Sequence, residues 1–360
     1  MKLTKIDYYI IKRFLSAFLL ALGLFTVIII VFDLAEKIDD FIENDAPFYD
    51  IIFKYYVNWI PFLLNLFSPV FVFISVIFFS SKMAQKSEIV AILASGVSFK
   101  RLMVPYAITS IFLALISFVL SAWIIPNADK VRVDFENKYI RQRQYYSQSQ
   151  IKTQIVPGTI LSIGNFNFSD SMGYKICLER IQSGQLTSKL YADRLSWNQD
   201  EQTWKLSNWW IRSFNDDQET LSKGSELDTL IPFNPEDFFR KNDDVQMFNL
   251  SELNDMIALE KMRGTGNTFF YLTEKYKRFL MPVAIVILTL IGVSVSTKKS
   301  RGGIGLNLGV GLLISFTFLI VFQFFLAYGS SGTLHPLLAV MMPNLIFGLV
   351  AFVMYRLAQK

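Results

Sequence analysis

The residue types that carry most enzyme chemistry are scarce in this chain. His335 is the only histidine and Cys177 the only cysteine among the 360 residues. One histidine cannot build a multi-histidine metal site, and one cysteine cannot form a disulfide within the chain. The sequence also lacks the G-x-x-x-x-G-K-[ST] loop that binds nucleotide phosphates. We therefore expect no enzyme activity, no metal and no cofactor bound by this chain.

A single carboxylate in a basic loop is the remaining candidate for a specific interaction. Glu88 is the only acid in the segment SEIVAILASGVSFKRL, residues 87–102, which lies between two long apolar stretches. The flanking cations are Lys82, Lys86, Lys100 and Arg101. An acid in the first turn of a helix interacts favourably with the helix dipole, by about 0.3–1 kcal/mol. The alternative is that the carboxylate pairs with a cation of another protein.

The residues after Glu88 have the pattern of a short surface helix. Ile89, Ile92 and Leu93 follow the i, i+3, i+4 spacing that places them on one helix face. Gly96 is suited to end the helix, because glycine readily adopts the left-handed conformation found there. The pattern predicts a helix at about residues 87–96, lying on the membrane surface.

The composition indicates an integral membrane protein. Apolar residues make up 52% of the chain, and Phe alone occurs 34 times. A bilayer is crossed by about 20 helical residues, and the uncharged run 302–355 is long enough for two such spans, separated by YGSSGTLHP. The other uncharged runs cover residues 14–32, 55–81, 102–128 and 279–297. We predict six spans, three at each end of the chain; the first run is long for a cleaved signal peptide.

Charge predicts the orientation of these spans. Thirteen Lys and Arg residues occur before span one, between spans two and three, between four and five, and after six, opposed only by Asp7 and Glu88. Cytoplasmic loops carry such an excess of cations. We therefore expect both termini in the cytoplasm and the central region outside. The net charge of +5 then reports orientation and not binding to nucleic acid.

The central region changes from helical to two-residue periodicity. Alternation of apolar and polar residues predicts four strands, bounded by turn residues, at 159–168, 174–181, 185–197 and 203–214. Such strands favour an antiparallel sandwich, a jelly roll or a curved open sheet. After them, Ser251 is a candidate N-cap for a helix at 252–262, and a second helix at 268–278 leads into span four.

The predicted organisation has four parts. Residues 1–128 form spans one to three with the short surface helix, 129–248 a β domain, 249–278 connecting helices, and 279–360 spans four to six. The middles of the spans contain no Asp, Glu, Lys, Arg or His. Transporters coupled to protons or ions usually need such groups at mid-depth, so this pattern disfavours a secondary transporter.

The sequence resembles the lipopolysaccharide-export permease family LptF/LptG over essentially its whole length. The resemblance shows in KIDYYIIKRFLSAF, KSEIVAILASGVSFKRL, YADRLSWNQDEQTWKL and RFLMPVAIVILTLIGVSVSTKKSRGG. The pattern S-E-[IL]-x-x-x-x-A-[SC]-G between spans two and three is its most specific element. In that family the acid of this motif meets the ATPase subunit. The resemblance therefore implies an ATPase-coupling role for Glu88, Ile89, Ile92, Leu93, Ser95 and Gly96.

The resemblance also implies a fold and a set of partners. The expected fold is an α-helical membrane protein with six spans, three plus three, and a periplasmic all-β, jelly-roll-like domain. The expected partners are an LptB-like ATPase dimer that uses ATP and Mg, a second LptF/LptG-type permease, an LptC-like single-span protein and an LptA-like periplasmic bridge. The complex would extract lipopolysaccharide from the bacterial inner membrane. The short IDYYI start and the chain length lean towards the LptG type.

Three groups of residues are candidates for contacts with lipid. The first would line an acyl-chain cavity: Phe18, Phe25, Phe32, Phe316, Phe318, Phe322 and Phe325. The second, Lys37 and Lys54, would contact head-group phosphates, or would instead pair with nearby acids. The third would form a groove in the β domain, or its sealed core: Ile160, Ile163, Phe166, Phe168, Ile176 and Leu178.

Two other classes of function remain open at this stage. One is a mechanotransmitting ABC subunit, whose usual four spans with one large outer loop fit this sequence less well. The other is an envelope scaffold without lipid transport, which would tolerate reversal of the charge of Glu88.

Overall fold

The chain is divided into two compact units in a computed structural model. The structure describes residues 4–140, 147–167, 170–199, 202–215, 218–229, 231, 242–264, 267–297 and 303–358. One unit, the helical unit, comprises Met1–Ile140, Gln246–Leu250 and Phe269–Lys360. The other, the β unit, comprises Arg141–Val245 and Ser251–Thr268.

Six helices of the described chain are long and apolar enough to cross a membrane. They are α1 (Lys5–Glu43), α2 (Phe48–Gln85), α4 (Phe99–Tyr139), α6 (Thr268–Ser296), α7 (Gly303–Ser330) and α8 (Pro336–Ala358). The short helix α3 (Glu88–Ala94) connects α2 to α4, and α5 (Leu250–Arg263) precedes α6. The predicted three-plus-three arrangement of spans around a β region is confirmed.

The first three spans are much longer than a bilayer requires. They have 39, 38 and 41 residues, and at 1.5 Å per residue each is about 60 Å long, twice the thickness of the hydrocarbon core. Their ends opposite α3 are joined by a buried aromatic cluster of Phe41, Tyr55, Tyr56, Phe135 and Tyr139. Aromatic packing therefore holds the three helices together beyond the apolar spans.

Each of α2 and α4 contains one widened π-helical turn. These turns are Ile51–Tyr56 and Leu120–Ile124. The first carries Tyr55, which is fully buried and donates a hydrogen bond to Oδ1 of Asp33 at 3.1 Å. A π turn inserts an extra residue into the helical repeat and so changes which side chains face a neighbour.

Close approaches of α2 to α6 and α7 organise the core of the helical unit. A Cβ on Gly292 would lie 2.9 Å from the ring of Phe73, and a Cβ on Gly311 would overlap Ile77. The buried amide of Asn307 in α7 donates a hydrogen bond to the Ser81 hydroxyl in α2 at 2.9 Å. Small residues and paired polar groups are the usual means by which helices pack in lipid.

The β unit contains one antiparallel sheet whose six described strands follow chain order. The strands are β1 (Ser147–Val156), β2 (Thr159–Asn167), β3 (Met172–Gln182), β4 (Gln185–Asn198), β5 (Thr203–Asn215) and β6 (Gln218–Thr229). Four correspond to predicted strands, whereas β1 and β6 were not predicted. Of the three predicted architectures, the described strands match the curved open sheet, since each strand pairs with its neighbours in chain order.

The curvature of the sheet is visible in its interior contacts. Phe166 in β2 and Trp204 in β5 have ring centroids 6.2 Å apart. Three strand spacings separate β2 from β5, about 14 Å in a flat sheet. The face that carries both rings must therefore be concave, and both side chains are fully buried in it.

A crease crosses all six strands at one level. The Cα pairing of neighbouring strands is interrupted there, while the residues on either side remain paired in register. On β1, β3 and β5 the crease residue has a positive φ of 57°, 57° and 52°, respectively. The crease residues are Gln150, Gly164, Lys175, Asp193, Asn208 and Ser225.

The crease keeps apolar side chains on the concave face. On β2, Ile163 and Phe166 lie on either side of it and both are buried, although they are three residues apart. Strict alternation would place them on opposite faces. The same spacing of three occurs at Gly173 and Ile176, at Ala192 and Leu195, and at Leu206 and Trp209. The interruption thus allows each strand to bend without losing its inward residues.

The helices after the sheet differ in two respects from the prediction. Helix α5 begins at Leu250, so that Ser251 lies inside the helix and is not its N-cap. The predicted helix at 268–278 and span four form one continuous helix, α6. Gly264 has a φ of 66° and ends α5, as its conformational freedom allows.

Truncation of Phe166 should destabilise the β unit far more than truncation of a neighbour on the other face. We expect Phe166→Ala to lower the free energy of unfolding by about 3–5 kcal/mol, because it leaves a cavity in a closed core. Ile160→Ala, on the opposite face of the same strand, should cost less than about half of that. Denaturant unfolding followed by tryptophan fluorescence measures both. Equal losses for the two variants would contradict a sealed concave face.

Candidate functional site

Helix α3 is anchored to the helical unit by its first turn. Ile89 is 1% exposed and belongs to a buried cluster that includes Ile10 of α1, Met83 of α2 and Leu102 of α4. Ile92 packs partly buried against the same cluster, whereas Leu93 is 37% exposed. The three residues follow one side of α3, and burial decreases along the helix, so that Leu93 near its end is the least covered.

Sharp turns fix both ends of α3. Ser87 precedes the helix in the left-handed conformation, with a φ of 60°. Gly96 follows it with a φ of 92°, and its N–H donates to the carbonyl of Leu93 at 3.1 Å. Ser98 then caps α4, because its hydroxyl accepts from the N–H of Arg101 at 3.3 Å. The connection between α3 and α4 is consequently only residues 95–98.

The outer side of α3 is apolar and exposed. Val90 is 57% exposed, and Ala91, Ala94, Ser95 and Gly96 are exposed beside it. Glu88 lies at the edge of this surface and is half-buried. An exposed apolar surface bordered by a charge is typical of a protein-binding site.

Helix α1 contacts Glu88 directly. The hydroxyl of Tyr9 donates a hydrogen bond to Oε2 of Glu88 at 3.3 Å. Tyr9 also lies against the guanidinium of Arg13, whose Cζ is 5.5 Å from the ring centroid. Sequence reasoning did not predict this contact, since 79 residues separate Tyr9 from Glu88.

A second contact between α1 and the region after α3 is a partly buried ion pair. Arg101 Nη1 donates to Asp7 Oδ1 at 2.6 Å, and Nη2 donates to the other carboxylate oxygen. The Asp7 side chain is 3% exposed. Thr4 and Asp7 also form a capping box at the start of α1. The T-x-x-D spacing is a readable capping signal, but nothing in it indicates Arg101.

Comparison with known proteins assigns this arrangement to a family. The family model described as lipopolysaccharide export system permease LptF/LptG matches residues 8–357. The chain belongs to the LptF/LptG family. The match covers the helices, α3 and the β unit together, and does not distinguish LptF from LptG. No curated protein gives a significant match to the chain.

In this LptF/LptG chain, the three candidate phenylalanines of α1 have different environments. Phe18 is 6% exposed and is packed inside the helical unit, whereas Phe32 is 73% exposed. Phe25 lies between them, with its ring against Phe67 and Phe71 at centroid distances of 5.2 and 4.5 Å. Of the three, Phe32 presents the most surface to lipid or to another chain.

The candidate phenylalanines of α7 divide in the same way. Phe316 is 53% exposed. Phe318 and Phe322 are buried, at 0% and 3%, and stack on each other within the helix packing. Phe325 is half-buried beside Phe324. Phe318 and Phe322 therefore fill the core of this chain and do not line its surface.

Both candidate head-group lysines are paired with acids of this chain. Lys37 Nζ lies 2.6 Å from Asp33 Oδ1, contacts the Tyr55 hydroxyl, and sits over the ring of Trp59. Lys54 Nζ lies 2.9 Å from Asp50 Oδ2. The arrangement corresponds to the alternative stated above, in which each cation pairs with a nearby acid.

The candidate groove residues of the β unit do not share one open surface. Ile163, Phe166 and Ile176 are at most 1% exposed in the concave core, and Leu178 packs against it. Ile160 lies on the other face, because its neighbour Leu161 points into the core. Phe168 lies outside the described residues. In this conformation the concave face is filled by its own side chains.

The described residues contain neither a metal cluster nor a lipid-sized cavity lined by the candidates. No three His, Cys, Asp or Glu side chains among them are arranged to hold a metal ion. A cavity of about 50 Å³ lies between α2, α4 and α6, beside Glu274, Lys277 and Arg278. A water molecule needs at least about 10–15 Å³, so this space admits a few waters and no acyl chain.

Ile89 should stabilise the fold, whereas Val90 should not. We expect Ile89→Ala to lower stability by about 2–5 kcal/mol, because a fully buried side chain is removed. Val90→Ala, one residue along and exposed, should stay within about 0.5 kcal/mol. Thermal unfolding of the two variants in the same detergent measures the difference. A large loss for Val90→Ala would mean that α3 is covered differently from the described structure.

Proposed function

We propose that this chain is a permease subunit of an ABC transporter that extracts lipopolysaccharide from the inner membrane and passes it to a periplasmic bridge. ATP hydrolysis in a partner subunit, with Mg, supplies the energy. The observation that carries the proposal is the family match over residues 8–357, together with an exposed apolar helix at the position of the family's coupling motif. A second permease, an LptC-like protein and an LptA-like bridge complete the proposed complex.

The geometry of α3 is suited to transmit force from a partner. Its buried side is fixed by Ile89 in the helix core, and its outer side offers Val90 and Leu93 for burial in a groove. Glu88 then pairs at the edge of that contact with a cation of the ATPase. In this proposal α3 and both termini lie in the cytoplasm and the β unit lies in the periplasm.

The lipid path in this proposal lies between chains and not within one. Acyl chains contact apolar side chains that are exposed in the isolated chain, such as Phe32 and Phe316. Lys37 reaches a head-group phosphate only by leaving Asp33. The β unit accepts acyl chains only if its concave face opens, since that face is filled in the described conformation.

Reversal of the Glu88 charge should separate the ATPase from the complex. We expect Glu88→Lys to reduce co-purification of an ABC ATPase by at least about tenfold, because a like charge would face the cation of the partner. Glu43→Lys is the matched control: it makes the same charge change at an exposed position at the other end of α1. Affinity purification from native membranes with mass spectrometry measures the association. Undiminished ATPase in the Glu88→Lys sample would refute the coupling role.

Photo-crosslinking should distinguish a transport surface from ordinary lipid contact. A benzoylphenylalanine at Phe32 or Phe316 should crosslink lipopolysaccharide, and the yield should change at least about twofold on addition of ATP, because the cavity alternates between states. The control position is Phe352 in α8, which is 55% exposed and should crosslink bulk lipid regardless of ATP. Equal and ATP-insensitive yields at all three positions would contradict the proposed path.

A further inference from the structure

The ion pair between Asp7 and Arg101 joins two helices whose sequence positions are 94 residues apart. Both carboxylate oxygens accept hydrogen bonds from the guanidinium, and such bidentate pairs fix relative orientation as well as distance. The Thr4 N–H and hydroxyl also donate to Asp7, at 2.7 and 2.9 Å. Asp7 is therefore held from both sides and links the cap of α1 to α4.

Arg101 occupies an unfavourable position in its own helix. Ser98 caps α4, so Arg101 stands in the first turn, where the helix dipole disfavours a cation. Its side chain nonetheless points to the buried carboxylate of Asp7, and it is only 27% exposed. Stability of α4 alone does not explain an arginine here, whereas a link to α1 does.

Residues on both sides of α3 contact the same turn of α1. Glu88, at the start of α3, accepts from Tyr9, and Arg101, beyond the end of α3, binds Asp7. Only residues 95–98 separate α3 from α4. A displacement of α3 therefore reaches α1 through two polar contacts, one of which is a bidentate ion pair, in addition to the packing of Ile89 in the cluster that contains Ile10.

Helix α1 is also the least embedded of the six apolar helices in the described chain. Only 11% of its most apolar window is buried, compared with 28–61% for the other five. The buried apolar side chains in the first half of α1, which are Ile10, Phe14 and Phe18, lie towards the end that the ion pair holds. The exposed side of α1 includes Leu20, Leu24 and Phe32, and Phe32 belongs to the proposed lipid path.

We propose that Asp7 and Arg101 form a clamp that transmits movement of α3 to α1 during transport. This inference rests on the proposed function, in which α3 docks on the ATPase. Asp7 and Arg101 are then positioning residues that touch neither ATP nor lipid. They make α1, which carries Phe32 of the proposed lipid path, move together with α3. Tyr9 is the auxiliary contact of the same link.

Variants that break the clamp should hydrolyse ATP normally but release less lipid for each ATP. The assembled complex is reconstituted into proteoliposomes that contain lipopolysaccharide, and both ATP hydrolysis and lipid release to a soluble acceptor are measured. For Arg101→Gln and Asp7→Asn we expect lipid released per ATP to fall at least about fivefold, within the usual range of coupling between sites. ATP hydrolysis and co-purification of the ATPase should remain within about twofold of wild type.

Two control variants separate the clamp from a merely structural role. Lys100→Gln removes an exposed cation one residue away and should leave lipid released per ATP unchanged. Arg101→Lys keeps the charge but not the bidentate geometry, so it should release more lipid per ATP than Arg101→Gln and less than wild type. A wild-type ratio in Arg101→Gln would overturn the clamp. Failure of the wild-type complex to release lipid on ATP addition would instead refute the proposed function, and the clamp's role with it.

A distance measurement tests the clamp even if a variant fails to assemble. Spin labels at Leu19→Cys in α1 and Lys100→Cys in α4, in a Cys177→Ser background, report the distance between the two helices. In the wild-type complex we expect the same distance distribution with and without trapped nucleotide, because the clamp moves the helices together. A nucleotide-dependent change in that distribution would overturn the proposal.

Discussion

The inability of lipid to hydrogen-bond the backbone is the constraint on which the helical unit depends. Every backbone N–H and C=O in the hydrocarbon core must be satisfied within the chain, and helices achieve this locally. The same reasoning explains where polar side chains occur. Asn307 is paired with Ser81, and the Ser80 hydroxyl with that of Tyr106 at 2.9 Å. Charged groups are confined to the helix ends, where each of the ion pairs discussed above is found.

This distribution of charge has a mechanical consequence. Coupling of movement to protons or ions usually uses ionisable groups at mid-depth, and the middles of the spans contain no Asp, Glu, Lys, Arg or His. In the proposed transporter, energy enters at the end of the bundle that carries α3. Ile89 is packed among residues of α1, α2 and α4, so a force on α3 acts on three spans at once. The opposite ends of these spans are joined by the aromatic cluster around Tyr55.

Local patterns in the sequence predicted the elements that depend on local physics. The uncharged runs located all six spans, and the i, i+3, i+4 spacing with Gly96 located α3. The four strands with alternating residues were also predicted. Strands β1 and β6 were not, because SQSQIKTQIV and QETLSKGSELDT are rich in polar residues. Both are edge strands of the described sheet, where polar residues prevent unwanted pairing with other strands. The sequence of such a strand therefore resembles that of a polar loop.

Structural features that depend on several distant segments could not be predicted from the sequence of any one of them. The crease is an example: Lys175 and Asn208 adopt a positive φ, which neither sequence context requires, because the whole sheet bends at that level. The burial of Phe318 and the exposure of Phe316 likewise depend on which side of α7 meets α2 and α8.

The contact between Asp7 and Arg101 is a further feature that neither sequence segment predicts by itself. Each residue alone has an ordinary local interpretation, as a capping acid and as one of thirteen cations near the predicted cytoplasmic face. Their contact shows that together they link α1 to α4. A bidentate pair resists separation, because loss of Arg101 leaves the mostly buried carboxylate of Asp7 without its cation. Two helices joined in this way move as one body at that end, and of the six described spans α1 has the smallest buried share of its most apolar window. In the proposed transporter, the position of the pair, one short turn beyond α3, makes α1 a span that moves with α3.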